Sequence, residues 1–115
     1  MINQFYPVRS YGKTYEVNLV RKTYLHPRTL CVQTYTKEGE PFATLTVNLC
    51  SKLQSPTHAF IDTNNCPWAE QFLVSNGLAW PVQNIRRNSG FCSYPLYEFD
   101  LTRLGLPKSD EGGAK

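Results

Sequence analysis

A chain of 115 residues with 12 Lys and Arg against 9 Asp and Glu carries a net charge of +3 and has room for one ordinary domain. With 41% hydrophobic residues and 13% aromatics it is too apolar to stay disordered throughout, and 7 glycines and 8 prolines are too few for a fibrous repeat. No apolar run approaches the roughly 18 residues of a membrane span, and Met1 to Pro7 lacks the regions of a signal peptide, so a cytoplasmic protein without a membrane partner is expected.

In chain order, Phe5 to Tyr11 and Thr14 to Arg21 flank Gly12-Lys13 and predict a hairpin. Tyr15, Val17 and Leu19 share one parity and Thr14, Glu16 and Asn18 the other, which is the period of a half-buried strand. His26-Pro27-Arg28 interrupts, because proline lacks the amide that a ladder needs. Thr29 to Thr36 predicts a third strand, with Leu30 and Val32 on one face and Cys31 and Tyr35 on the other. After the turn Lys37 to Pro41, Phe42 to Cys50 alternates most cleanly and predicts one continuous strand.

A polar loop, Ser51 to Thr57, leads to the apolar piece Ala59-Phe60-Ile61. Asp62 to Pro67 then has the residues of a helix entrance, and the helix is expected from about Pro67 to Ser75, with Trp68/Phe72 and Ala69/Leu73 as an apolar stripe. Asn76-Gly77 stops it. Pro81 to Gly90 reads as loop, and Phe91 to Leu101 as a last strand, held at an edge or bulged by Pro95. The expected fold is therefore α+β: one antiparallel sheet of five or six strands with a short helix on one face, over residues 1–104, and a disordered tail over 105–115.

Chemistry-bearing signatures are sparse. The chain has no phosphate loop, no Gly-x-Ser-x-Gly and no His-Glu-x-x-His, so no enzymatic activity and no cofactor are expected. Asp62-Thr63-Asn64 starts like a calcium loop, but Pro67 replaces the required glycine and Leu73 the last acidic ligand. Cys31, Cys50, Cys66 and Cys92 are 19, 16 and 26 positions apart, without the close pair of a zinc or redox site, so four separate thiols and no metal are expected. Cys66 is the one nucleophile candidate: in a helix's first turn the dipole would favour its thiolate, with His58 as base. The competing reading makes Cys66 a small buried side chain beside Trp68, and Asp62, Asn64 and Asn65 local caps.

Charge is uneven. Residues 1–28 carry +4 and the rest −1. Arg9, Lys13, Arg21, Lys22 and Arg28 are interleaved with Tyr6, Tyr11, Tyr15 and Tyr24, the ingredients of a nucleic-acid-binding face, against a solvated sheet face as the plainer reading. Arg86, Arg87, Tyr94 and Tyr97 near Trp80 form a second candidate patch, of the residue types enriched where proteins grip proteins.

Four segments carry a resemblance: Tyr11 to Tyr15, Ala43 to Leu49, Ala59 to Leu78 with Asp62-Thr63-Asn64-Asn65-Cys66-Pro67-Trp68 as its most specific part, and Ser89 to Asp100. Together they resemble, over roughly residues 10–101, a small family known as a domain of unknown function and carried by conjugative and phage-like elements of Gram-positive bacteria. The resemblance brings no catalytic residue. It implies a binding protein of a mobile element that acts on a host protein such as a defence nuclease, as anti-CRISPR and other anti-defence factors do. A nucleic-acid-binding accessory protein and a Cys66-dependent enzyme are the alternatives.

Overall fold

The computed structural model describes residues 4–10, 12–24, 29–49 and 55–105. Its strands are β1 (Tyr6–Ser10), β2 (Lys13–Thr23), β3 (Leu30–Thr36), β4 (Pro41–Thr44), β5 (Thr46–Val47), β6 (His58–Ile61), β7 (Ala79–Ser89) and β8 (Cys92–Phe99). The helix α1 (Ala69–Ser75) lies between β6 and β7, and a 3-10 turn, Leu101–Arg103, follows β8. Tyr11, the break His26-Pro27-Arg28, Cys50, the first part of the Ser51 to Thr57 loop and the tail beyond Gly105 lie outside the described residues.

The α+β class holds, but the single sheet does not. There are two four-stranded sheets, β1-β2-β3-β4 and β5-β6-β8-β7, with antiparallel neighbours throughout. The predicted strand Phe42 to Cys50 divides at Leu45. The Leu45 amide donates to the Val32 carbonyl in the first sheet (2.9 Å), while the Leu45 carbonyl accepts from the Asp62 amide in the second (2.8 Å). Alternation shows which side chains turn inward but not which neighbour the backbone pairs with, so one run can serve two sheets. Thr46 reinforces the crossing, its hydroxyl oxygen accepting from the Val32 amide at 3.2 Å.

Between the sheets lies one core. Val17, Leu19, Leu30 and Val32 face it from the first sheet, and Ala59, Ile61, Tyr97 and Phe99 from the second. Helix α1 adds Ala69, Phe72 and Leu73, so the predicted apolar stripe is the buried one. The helix starts two residues later than expected, and no side chain caps it at Trp68. The Asp62 carboxylate instead ties the preceding turn, accepting from the Asn65 amide (3.1 Å) and the Asn65 side-chain amide (2.8 Å). Gly77, at φ +67°, provides the predicted left-handed stop.

Two further expectations change. Of the predicted loop Pro81 to Gly90, Pro81 to Ser89 is strand and Gly90 a turn. That strand stretch makes up most of β7, whose Ala79–Pro81 and Arg86–Ser89 pair with β8. Its outer part has no core face, so it lacks the apolar alternation by which strands are read. Gly105 does not belong to a free tail: its amide donates to the Leu19 carbonyl (2.7 Å), and its carbonyl accepts from the Arg21 amide (2.9 Å).

Candidate functional site

The last two strands run on past the sheet that holds them. β8 pairs with β6 only through Leu96, Tyr97 and Glu98, whereas its pairing with β7 continues outward from Arg86↔Pro95 to Ser89↔Cys92. The result is a two-stranded arm. Pro95 sits just past the last β6–β8 pair, Phe60↔Leu96, a position that tolerates its missing amide. Gly90 (φ +62°) and Phe91 close the arm as a two-residue turn with glycine in the first central position, a geometry that matches the twist of the strands. Phe91 at the tip is wholly exposed.

At the base of the arm, Val82 to Ile85 bulge out opposite Leu96, because the register jumps between Pro81↔Tyr97 and Arg86↔Pro95. Gln83 holds φ +47° there, the left-handed conformation that side chains with a Cβ avoid. From Val82 to Pro95 the sequence contains no acidic residue.

Arg86 and Arg87 point to opposite faces of the arm, as neighbours on a strand must. Arg86 donates through Nε to the Ser93 hydroxyl (2.9 Å) and through Nη2 to the Ser93 carbonyl (3.0 Å). Arg87 pairs with Tyr94 and lays its guanidinium over the Phe60 ring, 6.0 Å from the centroid. Both cations are thus held in place while remaining exposed.

Of the predicted partner patch, Arg87, Tyr94 and Trp80 share one face, since Trp80 pairs with Glu98 and Tyr94 lies four positions before it. Arg86 is on the other face. Tyr97 leaves the patch altogether. It is 2% exposed, and its hydroxyl donates to Glu70 on α1 at 2.7 Å. Burial first, and then this bond to a carboxylate, push the phenol well above its ordinary range. Phe91, the most exposed large side chain, was expected only as the start of a strand. The run Asn88-Ser89-Gly90-Phe91-Cys92-Ser93 held the signal, a glycine-led pair between two short polar stretches.

The basic N-terminal strands do not form one face. Arg9 pairs with Thr14, which puts it on the Lys22 side of the first sheet, while Lys13 and Arg21 have the opposite parity. Lys22 donates to the Tyr35 hydroxyl at 2.6 Å. The tyrosines are inward too. Tyr6 is buried against Phe72, Tyr15 packs on Phe42, and Tyr24 bonds Thr46. Arg28 lies outside the described residues.

Cys66 is not placed as a nucleophile. It precedes the helix by three residues rather than sitting in its first turn, and it is 3% exposed. Its thiol lies 3.6 Å from the Thr44 carbonyl, which accepts its proton. Burial, and secondarily Asp62, push the thiol up to about 11, away from the thiolate. Cys31 and Cys92 are likewise free thiols. Among the described residues no group of three or more His, Cys, Asp or Glu is placed to hold a metal, and no helix is long and apolar enough to cross a membrane.

These features define a small α+β protein with an exposed basic β-arm. The chain belongs to the family described as Domain of unknown function (DUF4313), whose family model matches residues 18–111. Three of the four segments that carried the resemblance, Ala43 to Leu49, Ala59 to Leu78 and Ser89 to Asp100, fall inside the match, and Tyr11 to Tyr15 precedes it. Neither the comparison with curated proteins nor that with solved structures returned a match.

Proposed function

We propose that this protein is a nucleic-acid-binding accessory protein that works through the β7–β8 arm and not through its N-terminal strands. One observation carries the reading: the arm is free of acidic residues, bears a fixed guanidinium on each face, and ends in a wholly exposed ring. Arginine with amide and hydroxyl side chains, here Gln83, Asn88, Ser89 and Ser93, is the set that contacts phosphates and base edges. A carboxylate on the arm would repel the phosphates. The test is fluorescence anisotropy with labelled oligonucleotides over a range of salt. Binding should weaken steeply with salt, and Arg86→Ala with Arg87→Ala should weaken it further while substitution of Arg9 and Lys13 leaves it unchanged. Equal binding by wild type and the Arg86/Arg87 double variant removes the reading.

A second reading has its own support. Trp80 is 45% exposed on the face that holds Arg87 and Tyr94, and Trp, Tyr and Arg are the residues that dominate protein–protein contacts. It makes the protein a stoichiometric binder of a host protein, the anti-defence role that a mobile-element origin suggests. Capture of a defined host nuclease from nuclease-digested lysate, lost with Trp80→Ala but not with Phe91→Ala, would favour it over the first.

A further inference from the structure

Resting on the nucleic-acid reading of the arm, we infer that its ligand is a duplex, entered through a groove, with Phe91 acting as a wedge between neighbouring base pairs. Three features of the arm lead there.

The first is where the charges point. Arg86 is tethered to Ser93 on one face and Arg87 lies over Phe60 on the other. A single strand laid along the arm would meet one guanidinium and leave the other unused. A groove has a phosphate wall on each side, so a ribbon standing in it meets anions on both faces at once. Arg86 spends only Nε and one Nη2 hydrogen on Ser93, and its other donors are left for a phosphate or a base edge.

The second is size. Paired strands lie about 4.8 Å apart, and the major groove of a duplex, about 12 Å wide, admits a two-stranded ribbon with its side chains. The arm has four paired positions, Arg86 to Ser89 against Pro95 to Cys92. At about 3.3 Å per residue that is about 13 Å, more than the groove's depth of about 8.5 Å.

The third is the arrangement of rings. Single-strand binders stack successive bases on several exposed rings. Here Tyr6, Phe60, Phe72, Tyr97 and Phe99 are buried, and Tyr15, Phe42 and Trp68 pack against one another. Trp80 and Tyr94 lie further back, on the Arg87 face of the sheet, and Phe91 stands beyond them at the extremity of the ribbon. A ring there reaches the floor of the major groove, where it can enter a base step from that side as the apolar wedges of minor-groove proteins do from the other.

The experiment uses the full chain and a duplex of about 20 base pairs carrying 2-aminopurine at a central TpA step, the kind of step that unstacks most easily. Dyes at its ends report bending. Wild type is expected to brighten the 2-aminopurine, shorten the end-to-end distance and bind the duplex more tightly than either separated strand. Phe91→Ala should abolish the brightening and the bend and weaken binding by about tenfold, the low end of what one ring–base stack contributes. Arg86→Ala and Arg87→Ala should each lower the log–log salt slope by about one. All three positions are exposed, so an unchanged melting curve will show that a variant is folded. Two results overturn the inference. If separated strands bind as tightly as the duplex and lose that binding with the arginines, the nucleic-acid reading survives and the groove does not. If neither form binds at low salt, both readings fall together.

Discussion

The two sheets place their polar residues differently. In the first sheet some of the charge and the rings meet close by, Lys22 bonding Tyr35, Lys37 pairing with Glu16 at 3.2 Å and covering Phe5, and Tyr15 resting on Phe42, while Arg9 and Lys13 stay exposed on separate faces. The second sheet closes the core with Ile61, Tyr97 and Phe99 and then extends two of its strands into solvent, carrying Arg86, Arg87 and Phe91 clear of every other element but Phe60. A net charge of +3 says nothing of this division.

The contrast can be broken hardest at the joint between the sheets. Leu45 is fully buried and bonds both, so Leu45→Ala should lower unfolding free energy by about 3 kcal/mol, read by urea denaturation. A loss below about 1 kcal/mol would show that the sheets hold together without it.

A smaller effect is expected from pH. Folding raises the Cys66 thiol from about 9 to about 11, so the folded state resists deprotonation that the unfolded chain accepts. The stability tied to Cys66 is therefore intact below about pH 9 and declines as pH rises toward 11. Denaturation midpoints at pH 8 and pH 10 should fall less for Cys66→Ala than for wild type, after allowing for the lost packing of the sulfur. An identical fall would show that Cys66 does not carry the effect, leaving it to groups such as Tyr24, which burial pushes up to about 12.

The smallest effect on stability is expected on the arm. Phe91→Ser and Arg86→Ala should each change unfolding free energy by no more than about 0.5 kcal/mol, whatever they do to binding. A larger loss would make the arm part of the scaffold and erase the distinction between the sheets.

Much of the scaffold was legible in the sequence because it is half-buried. Val17 and Leu19 in β2, and Leu30 and Val32 in β3, declare their strands by period two, and Phe72 and Leu73 declare the helix by its stripe. The sheet change at Leu45 was not legible, because partner choice is a backbone matter that side-chain alternation does not encode. β7 was read as loop for a related reason: Arg86 to Ser89 have no buried face to alternate against. Arg86 and Arg87 stand out in the sequence by residue type alone, and both are exposed on the arm. Tyr97 was misassigned with them, since a tyrosine's sequence neighbours do not reveal that Glu70 will take its hydroxyl proton in a hydrogen bond. The most specific segment, Asp62 to Trp68, turned out to be a locally bonded turn, so a distinctive sequence there serves shape.

The pairing of Gly105 with Leu19 and Arg21 bears on how the chain is made. Strands β1 to β4 are contiguous in sequence and can assemble as soon as they leave the ribosome, but the stretch of β2 beyond the end of β1 keeps an unpaired edge. That edge is closed only when residue 105 arrives, more than 80 positions later. During synthesis the first sheet therefore waits, with Val20 beside the gap, in the state most open to pairing with another nascent chain. Arrival of Gly105, rather than formation of the first sheet, is what closes this stretch of edge.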